Sequence, residues 1–322
     1  MILVMGGAGY IGSHTVKYLL AHGQSCVVAD NLSCGHREAV DERAGFMLAD
    51  LADKDSLRKV FETYPIEAVI HFAAFTYVGE SVRDPKKYYR NNVAGTLNLL
   101  DAMLEYDVKK IVFSSTCATY GEPLYTPIDE QHAQNPINPY GRTKLMIEQI
   151  FRDYAKAYGL KYIALRYFNA AGCSADGGIG ESHDPETHLI PLVLQAILGK
   201  RPDIKVFGTD YDTPDGTCIR DYIHVEDLAQ AHWQAVRKLD DYSGYLNLGT
   251  GVGTSVMEII KAAEKVSGKT CPVTLAARRE GDPAKLFADN KKAKRVLNWN
   301  PVYTDIENII KTAWLWETNR RF

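Results

Sequence analysis

Short apolar runs rich in β-branched residues alternate with longer segments of helical periodicity through the first half of the chain. The periodicity is clearest in residues 88–106, where Val93, Leu97, Leu100 and Leu104 recur at close to helical spacing and would form one apolar face. Strand patterns that alternate with helical patterns are typical of βαβ units, which build parallel sheets. The first half is therefore predicted to be α/β, with a doubly wound parallel sheet.

The pattern changes after Asn169. Residues 170–187 carry four glycines and little periodicity, which indicates a loop or a lid. Beyond them an irregular α/β pattern predicts a second, smaller domain. Strands are predicted at 2–5, 25–29, 46–49, 68–72, 110–115, 162–167, 204–207, 245–248 and 273–276, and helices at 11–21, 56–64, 88–106, 140–158, 189–198, 225–238, 256–266 and 306–318.

Composition and charge narrow the class of protein. The chain has 322 residues, of which 46% are hydrophobic, enough for one or two buried cores. The 37 basic and 40 acidic residues leave a net charge of −3, so we expect neither nucleic acid nor a membrane as a partner. Six cysteines lie far apart without a C-x-x-C pair, which predicts free thiols. With no targeting signal and no apolar stretch near the ~20 residues of a membrane span, we expect a cytoplasmic protein.

The strongest local signal is Gly6-Gly7-Ala8-Gly9-Tyr10-Ile11-Gly12, which follows the first predicted strand and opens the first predicted helix. In this context a glycine-rich turn lets the backbone approach a pyrophosphate, and the helix N-terminus holds the anion. Asp30 ends the second predicted strand, where its carboxylate can accept hydrogen bonds from ribose hydroxyls. Because a 2′-phosphate would face this negative charge, the sequence predicts a Rossmann-type domain that binds NAD rather than NADP.

A second constellation is Tyr140-Gly141-Arg142-Thr143-Lys144, in which Tyr140 and Lys144 lie four residues apart on one face of a predicted helix. A free phenol has a pKa of about 10 and is a poor base at neutral pH. A nearby ammonium and a positive nicotinamide ring favour the phenolate, so such a pair can exchange a proton with a sugar hydroxyl. Thr116 lies at the carboxyl end of a predicted strand, where ligands gather in such sheets, and could share the proton.

Several further motifs occur in the order that they have in one known family. They are His71-Phe72-Ala73-Ala74, Val78-Gly79-Glu80-Ser81, Asn91-Asn92-Val93-Ala94-Gly95-Thr96, Arg166-Tyr167-Phe168-Asn169, Asp215-Gly216-Thr217, Arg220-Asp221-Tyr222-Ile223-His224-Val225 and Arg278-Arg279-Glu280-Gly281-Asp282. Together with the glycine motif and the tyrosine–lysine pair, they resemble the UDP-glucose (UDP-galactose) 4-epimerase family. This family belongs to the extended short-chain dehydrogenase/reductase superfamily, and the resemblance covers nearly the whole chain.

The resemblance implies an NAD-dependent isomerase that interconverts UDP-glucose and UDP-galactose through a transient 4-keto sugar and enzyme-bound NADH. The catalytic residues that it implies are Thr116, Tyr140 and Lys144. The cofactor contacts that it implies are Gly6, Gly9, Tyr10, Ile11, Gly12, Asp30, Asn31, Asp50, Leu51, Phe72, Ala73, Ala74, Asn92, Tyr140, Lys144 and Phe168. The UDP-sugar contacts that it implies are Thr116, Tyr140, Asn169, Leu189, Phe207, Arg220, Arg279 and Asp282.

The resemblance also implies a domain organisation and an assembly. The NAD-binding Rossmann domain is expected at 1–168, rejoined by segments around 219–250, and residues 169–322 are expected to form mainly the UDP-sugar domain. A homodimer is expected to pair through the helices at 88–106 and 140–158.

No metal site is expected, since His14, His71 and His224 lack the spacing of metal ligands. His188 replaces an asparagine that some members of the family use to reach the substrate.

The sugar that this chain takes stays open at this point. Leu286 stands where a bulky tyrosine closes the sugar pocket in some relatives and a smaller residue opens it in others, so UDP-N-acetylhexosamines are alternatives. UDP-pentoses such as UDP-xylose and UDP-arabinose would use the same machinery. A nucleotide-sugar 4,6-dehydratase would need acid/base carboxylates after Thr116, where Cys117 and Ala118 stand. A non-catalytic NAD-sensing protein is a further alternative. The intact Thr116, Tyr140 and Lys144 argue against it, because such a protein would not need them.

Overall fold

The computed structural model describes residues 1–279 and 281–322. The strands are β1 Ile2–Met5, β2 Cys26–Asp30, β3 Gly45–Leu48, β4 Ala68–His71, β5 Lys110–Thr116, β6 Lys161–Tyr167, β7 Asn169–Ala171, β8 Ile204–Phe207, β9 Ile219–His224, β10 Gly244–Leu248, β11 Gly253–Ser255, β12 Val273–Ala276 and β13 Lys285–Leu286. The α-helices are α1 Tyr10–Ala21, α2 Lys54–Thr63, α3 Val78–Arg83, α4 Pro85–Tyr88, α5 Gly95–Glu105, α6 Pro139–Tyr158, α7 Leu189–Ile197, α8 Val225–Lys238, α9 Val256–Ser267, α10 Lys291–Leu297 and α11 Ile306–Thr318. A π-helical turn, Tyr89–Ala94, joins α4 to α5.

The central sheet has seven strands in the order β10-β6-β5-β4-β1-β2-β3, and every neighbouring pair is parallel. The strand order reverses between β1 and β4, which is where doubly wound sheets form a ligand crevice at their carboxyl ends. The strands β1 and β2 are buried along their whole length, because helices cover both faces of the sheet. The predicted α/β class with a doubly wound, Rossmann-type sheet is confirmed.

Helices on the two faces of the sheet bury separate apolar cores. On one face, Val16 and Leu19 of α1 pack with Leu228 and Ala231 of α8. On the other face, α2, α5 and α6 contribute a second core that includes Leu100. The sheet is therefore held rigidly between two helical layers, and its carboxyl edge is a fixed platform for the loops that follow β1, β4 and β5.

The strand β10 completes the central sheet from the second half of the sequence. Gly244 pairs with Ile163 and Leu248 with Tyr167, so β10 lies parallel to β6 at one edge. The chain therefore leaves the sheet after β6, builds other elements, and returns with β10. The expected division into 1–168, rejoined by segments around 219–250, and 169–322 stays a prediction, and β10 lies within the rejoining range.

A smaller unit of sheet and helix lies beyond β6. Its middle strand β9 pairs with β7 and β13 in parallel and with β11 in antiparallel orientation, while β8 pairs with β12. The helices α7, α9 and α11 surround a third apolar core that includes Val193, Ile259 and Ile310. The sequence predicts a loop or a lid over residues 170–187, but Ala170 and Ala171 belong to the strand β7. None of the described helices has the length and apolar character to cross a membrane.

Candidate active site

The glycine loop joins the carboxyl end of β1 to α1. Gly6 has a φ of +83°, and a Cβ atom at this position would lie 2.5 Å from the backbone nitrogen of Ala73. A Cβ atom at Gly12 would lie 2.3 Å from the carbonyl oxygen of Gly6. Both positions therefore require glycine, and the loop lies directly against the segment that follows β4.

The N-terminus of α1 is suited to an anion. Its N-cap residue is Gly9, and no side chain among the described residues caps this end of the helix. The first backbone N–H groups of a helix have no intrahelical partner, and the helix dipole makes this end positive. The loop and the helix end together fit the pyrophosphate of a dinucleotide.

Asp30 fastens the glycine loop to β2. Its Oδ2 atom accepts a hydrogen bond of 2.9 Å from the backbone nitrogen of Ala8, and its Oδ1 atom accepts one of 2.8 Å from Leu32. Burial raises the pKa of the Asp30 carboxyl, while these backbone N–H groups lower it. A carboxylate has about four acceptor positions. The two that remain suit the hydroxyls of a ribose, so the residues present fit a bound NAD.

The other predicted cofactor residues surround this crevice. The Nδ2 atom of Asn31 donates to Oδ2 of Asp50 at 2.7 Å, which joins the ends of β2 and β3. Leu51 is buried beside the start of α5. Phe72 packs on the core of one sheet face and Ala73 on the core of the other. The structure thus gathers the predicted cofactor residues of the first 74 positions along the carboxyl edge of β1, β2, β3 and β4.

Tyr10 and Ile11, the two predicted cofactor contacts at the start of α1, lie in different surroundings. Ile11 is partly buried against the core shared by α1 and α8. The hydroxyl of Tyr10 donates to the carbonyl oxygen of Gly172 at 2.6 Å. Tyr10 therefore links the glycine loop to the chain that follows β7.

Asn92 is a predicted cofactor contact whose side chain is fully engaged within the protein. Its Oδ1 atom accepts from the backbone of Phe75 and from Asn91, both at 2.9 Å. Its Nδ2 atom donates to the carbonyl of Phe75 at 3.0 Å and to Oγ1 of Thr143 at 3.2 Å. Four hydrogen bonds use the full capacity of the amide. Asn92 therefore fastens Phe75, in the segment after β4, to α6, and its contact with the cofactor stays a prediction.

The first turn of α6 is fixed by its N-cap. Asn138 accepts a hydrogen bond from the backbone nitrogen of Gly141 at 2.8 Å, and Pro139 occupies the first helical position. At the other end, Gly159 stops the helix in the left-handed conformation. This cap sets where Tyr140 and Lys144 lie on the helix face next to β5.

The three predicted catalytic residues lie together at the end of β5. The Nζ atom of Lys144 donates to the carbonyl oxygen of Ser114 at 2.7 Å and lies 5.9 Å from the centre of the Tyr140 ring. The side chain of Thr116 interacts with the phenol of Tyr140, and its Oγ1 atom accepts from the backbone of Ala118 at 3.1 Å. This arrangement can hold a hydroxyl group between a threonine and a tyrosine.

Burial shifts the pKa values of both Tyr140 and Lys144 in the chain without ligand. Burial lowers the pKa of Lys144 from 10.5 to about 7, with Glu148 opposing the change. Burial also raises the pKa of Tyr140 above its ordinary value, although the interaction with Thr116 lowers it. The expectation that a nearby ammonium and a positive nicotinamide ring together favour the phenolate stays a prediction, since burial opposes the charged form of each residue in the chain without ligand. A positive charge brought into the crevice by a ligand would favour the phenolate of Tyr140 and would disfavour the ammonium form of Lys144.

A buried ion pair between Arg166 and Glu148 joins β6 to α6. Arg166 binds Glu148 through two hydrogen bonds of 2.9 and 2.6 Å, and both side chains are 1% exposed. Arg166 also donates to the hydroxyl of Tyr120 at 2.9 Å, and Tyr120 donates to Asn247 at 2.7 Å. The network ties β6, α6 and β10 to the turn that follows Thr116, so it fixes α6 relative to the sheet.

Four of the predicted UDP-sugar residues lie in two pairs. Arg220 on β9 donates to Asp282 at 3.4 Å and to the carbonyl of Pro283 at 2.8 Å. The guanidinium of Arg279 lies 4.3 Å from the centre of the Phe207 ring. Glu280 of the same motif lies outside the described residues.

Asn169 and Leu189 line a small cavity of about 40 Å³ together with His188 and Tyr222. Phe168 packs with Cys117 in a small apolar cluster, against which Leu286 also packs. Leu286 is paired in register with Arg220, so this cluster connects the end of β5 to the arginine of β9.

The comparison with known proteins follows the same elements. The sequence profile of the NAD dependent epimerase/dehydratase family matches residues 2–249, a range that includes the glycine loop, Tyr140, Lys144 and β10. The chain belongs to this family. The UDP-glucose 4-epimerase of Lacticaseibacillus casei is 52% identical over 320 residues, which cover 99% of this chain and 97% of that protein.

Two solved structures of epimerases in this family are also similar over almost the whole chain. The crystal structure of UDP-glucose 4-epimerase from Brucella ovis in complex with NAD has a TM-score of 0.94 at 55% identity and covers 97% of each chain. The crystal structure of UDP-glucose 4-epimerase from Bifidobacterium longum in complex with NAD+ and UDP has a TM-score of 0.94 at 39% identity, covering 99% of this chain and 98% of that one. The resemblance to epimerases found in the sequence is confirmed.

Two supporting residues of this epimerase-family site escaped the sequence analysis as site residues. Glu148 lies four residues after Lys144 on α6, a spacing that places both on one helix face and could have indicated a partner. Asp221 is fully buried and accepts hydrogen bonds from the backbones of Thr250, Gly251 and Ala288. Its partners lie far along the chain, so no local pattern indicates them.

Proposed function

We propose that this chain is an NAD-dependent UDP-glucose 4-epimerase that interconverts UDP-glucose and UDP-galactose. The expectation of an NAD-dependent isomerase from the sequence is confirmed by the family and by relatives that carry this name at 52% identity. The observation that carries the proposal is the set of Thr116, Tyr140 and Lys144 at the end of β5, joined to the segment after β4 through Asn92.

Bound NAD, which the glycine loop and Asp30 would hold, would supply a reversible hydride acceptor for C4 of the sugar and a positive ring that favours the phenolate of Tyr140, so that no net oxidation would result. Tyr140 takes the proton from the sugar 4-hydroxyl during oxidation and gives it back to the carbonyl oxygen during reduction. Thr116 holds the same oxygen by a hydrogen bond, and Lys144 keeps Tyr140 within a positive field.

Inversion at C4 requires that the 4-keto sugar turn over between the two hydride steps. Binding energy concentrated on the nucleotide allows this, because the sugar ring is then free to present either face. The arginines Arg220 and Arg279 are proposed to bind the diphosphate, since a guanidinium matches phosphate oxygens with two parallel hydrogen bonds. The Arg220 side chain is only 13% exposed and is paired with Asp282, so diphosphate binding would exchange one anionic partner for another.

The test is direct turnover. The purified protein is incubated with UDP-galactose, UDP-N-acetylgalactosamine and UDP-arabinose in separate reactions, and each 4-epimer is measured by NMR. We expect the UDP-galactose reaction to reach equilibrium with UDP-glucose without added reductant. Formation of a 4-keto-6-deoxy sugar would instead support a dehydratase, and absence of turnover with bound NAD would support a sensing role.

We also propose a homodimer and a cytoplasmic location. Residues Leu97 and Leu104 of α5 and Leu145 of α6 remain partly exposed, and Met146 is 41% exposed, so the two helices carry apolar surface. A four-helix contact with a second copy would cover it. Sedimentation at micromolar concentration tests the dimer, and Met146→Lys is expected to shift it towards monomer. The described cysteines form no disulfide, which suits a reducing compartment.

A further inference from the structure

Four side chains between β7 and α7 form a second cluster of chemically active groups. Glu181, His183, Glu186 and His188 each offer one oxygen or nitrogen atom, and these atoms all lie within 4.8 Å of one another. We call this set the Glu/His cluster. It contains none of the residues to which we assign catalysis or NAD binding.

The distances within the Glu/His cluster match the size of a bound metal ion. The Nδ1 atom of His188 lies 2.7 Å from Glu181 and 3.2 Å from Glu186, and Nδ1 of His183 lies 3.2 Å from Glu181 and 3.7 Å from Glu186. Ligands of a tetrahedral zinc ion, with bonds of roughly 2.0–2.1 Å, are separated by about 3.3 Å. The four measured separations lie around that value.

Hydrogen bonding within the protein leaves three of these atoms unsatisfied, whereas Nδ1 of His188 bonds to Oε1 of Glu186 at 3.2 Å. Oε1 of Glu181, Nδ1 of His183 and Oε2 of Glu186 are buried and have no hydrogen-bond partner among the described residues, although they lie close to one another. The side chains of Glu181 and Glu186 are only 5% and 6% exposed. Buried polar atoms without partners are rare and costly. A cation between them would satisfy all of them at once.

The donor set indicates which ion fits. Two imidazole nitrogens and two carboxylate oxygens are typical zinc ligands, whereas calcium and magnesium prefer oxygen alone. We propose that Glu181, His183, Glu186 and His188 bind one zinc ion. The four ligands are two, three and two positions apart in the sequence, so only a short stretch of chain has to be ordered to bring them together.

Neighbouring groups hold the ligands in place, as they do in known metal sites. The carbonyl oxygen of Glu181 accepts from the indole nitrogen of the buried Trp316 at 2.7 Å. Oε1 of Glu186 accepts from the backbone nitrogen of His188 at 2.9 Å. The adjacent Ser182 is held through its carbonyl oxygen by His36 at 3.1 Å.

The site lies next to the proposed substrate region. His188 also lines the cavity that contains Asn169 and Leu189, and its side chain is 43% exposed. A zinc ion would therefore fasten the segment before α7 and fix one wall of that cavity. This inference departs from the sequence analysis, which expected no metal, because the four ligands lie in a segment without periodicity.

Zinc binding is tested on the full chain, independently of activity. The protein is treated with a chelator, given zinc chloride, desalted and analysed for metal, and its zinc affinity is measured by calorimetry. We expect one zinc per chain and a rise in the midpoint of thermal unfolding on adding zinc. Glu181→Gln and His183→Gln should each weaken zinc binding by at least about 100-fold, more than the roughly 10–100-fold that loss of a supporting hydrogen bond costs.

Asp184→Asn is the matched control, because Asp184 is exposed in the same segment but lies outside the Glu/His cluster. This variant should bind zinc like the natural chain. Cobalt chloride added to the chelated protein should give the intense visible absorption of a tetrahedral site, a readout that needs no variant. No stoichiometric zinc, equal affinity in all variants, or an octahedral cobalt spectrum would overturn the proposal and leave the cluster as ion pairs.

Discussion

The Nζ atom of Lys144 donates to the carbonyl oxygen of Ser114 at 2.7 Å, which holds a buried amino group behind the active-site tyrosine. Because burial lowers the pKa of Lys144 to about 7, the unfolded chain binds one more proton than the folded chain between about pH 7 and the ordinary value of 10.5. Below about pH 7 the folded chain carries the full free-energy cost of burying the charged amino group. Above about pH 10.5 this cost is absent, because the amino group is neutral in both the folded and the unfolded chain. Stability contributed at this residue therefore rises with pH across that window.

We therefore expect Lys144→Met to remove this pH dependence. Relative to the variant, the natural chain should gain about 1.4 kcal/mol of unfolding free energy per pH unit between pH 7.5 and 9.5. Urea unfolding of cofactor-free protein at three pH values in this range measures the difference. Lys54→Met changes an exposed lysine and should follow the natural chain, and parallel curves for all three proteins would contradict the low pKa.

Tyr140→Phe removes the phenol that we propose exchanges the proton, while keeping the aromatic ring. We expect the kcat for UDP-galactose to fall by about 10²- to 10⁴-fold, the usual contribution of a general acid–base residue. The NAD content and the unfolding midpoint should be unchanged. Tyr158→Phe removes an exposed hydroxyl from the other end of α6 and should leave turnover intact. Comparable activity in both variants would exclude Tyr140 as the proton-exchanging group.

Asp30→Asn removes the charge at the end of β2. The amide presents one donor where the carboxylate accepts from Ala8 or Leu32, so it loses a hydrogen bond on the glycine loop as well as the ribose contact. Hydrogen bonds to a charged group contribute about 1.5–3 kcal/mol, so NAD affinity should fall by about 10- to 100-fold. Calorimetric titration with NAD measures this, with the exposed Asp55→Asn as the control. Unchanged affinity would mean that Asp30 serves the fold alone.

The ion pair between Arg166 and Glu148 is expected to matter for stability because both partners are buried. Arg166→Met leaves Glu148 as an unpaired buried carboxylate, which should cost about 3–5 kcal/mol of unfolding free energy. Asp101→Asn breaks the exposed pair with Lys54 and should cost less than about 1 kcal/mol. Chemical denaturation of both variants tests the contrast. Similar losses would show that burial of the pair does not set its value.

Leu286→Tyr tests the size limit of the sugar pocket. Leu286 packs against the cluster of Cys117 and Phe168, next to the proposed catalytic residues. A larger ring there should exclude an N-acetyl group, and overpacking of about 1–3 kcal/mol predicts a roughly 5- to 100-fold lower kcat/KM for UDP-N-acetylgalactosamine relative to UDP-galactose. The ratio is measured in parallel assays. Leu275→Tyr, at an exposed position, should leave the ratio unchanged, and an identical ratio in both variants would remove Leu286 from the pocket wall.

The strands of the central sheet could be predicted because most are buried on both faces and read as continuous apolar runs. The strand β9 was missed, since Arg220 and Asp221 interrupt its apolar pattern. The buried Asp221 is tolerated only because distant backbone N–H groups satisfy its carboxylate. The short basic helix α10 was missed for a related reason, because only Ala293 and Leu297 of its seven residues are buried.

The proposed catalytic residues could be singled out from the sequence because Tyr140 and Lys144 lie one helical turn apart and Thr116 ends a recognisable strand. Their pKa values could not, because these depend on burial by other elements. The hydrogen bonds of Asn92 could not be predicted either, since they involve residues up to 51 positions away. Long-range partners of this kind leave no periodic signal in the chain.

The return of the chain into the central sheet at β10 limits how this architecture can be recombined. A fragment cut after Tyr167 would keep β6 as a bare edge, with unpaired backbone groups ready to join another molecule. The remainder would carry β10 and α8 without the layers that bury them. Neither half can therefore be exchanged as an independently folding unit. Chimaeras between members of this family should fold only when residues 161–167 and 244–248 are inherited from the same parent.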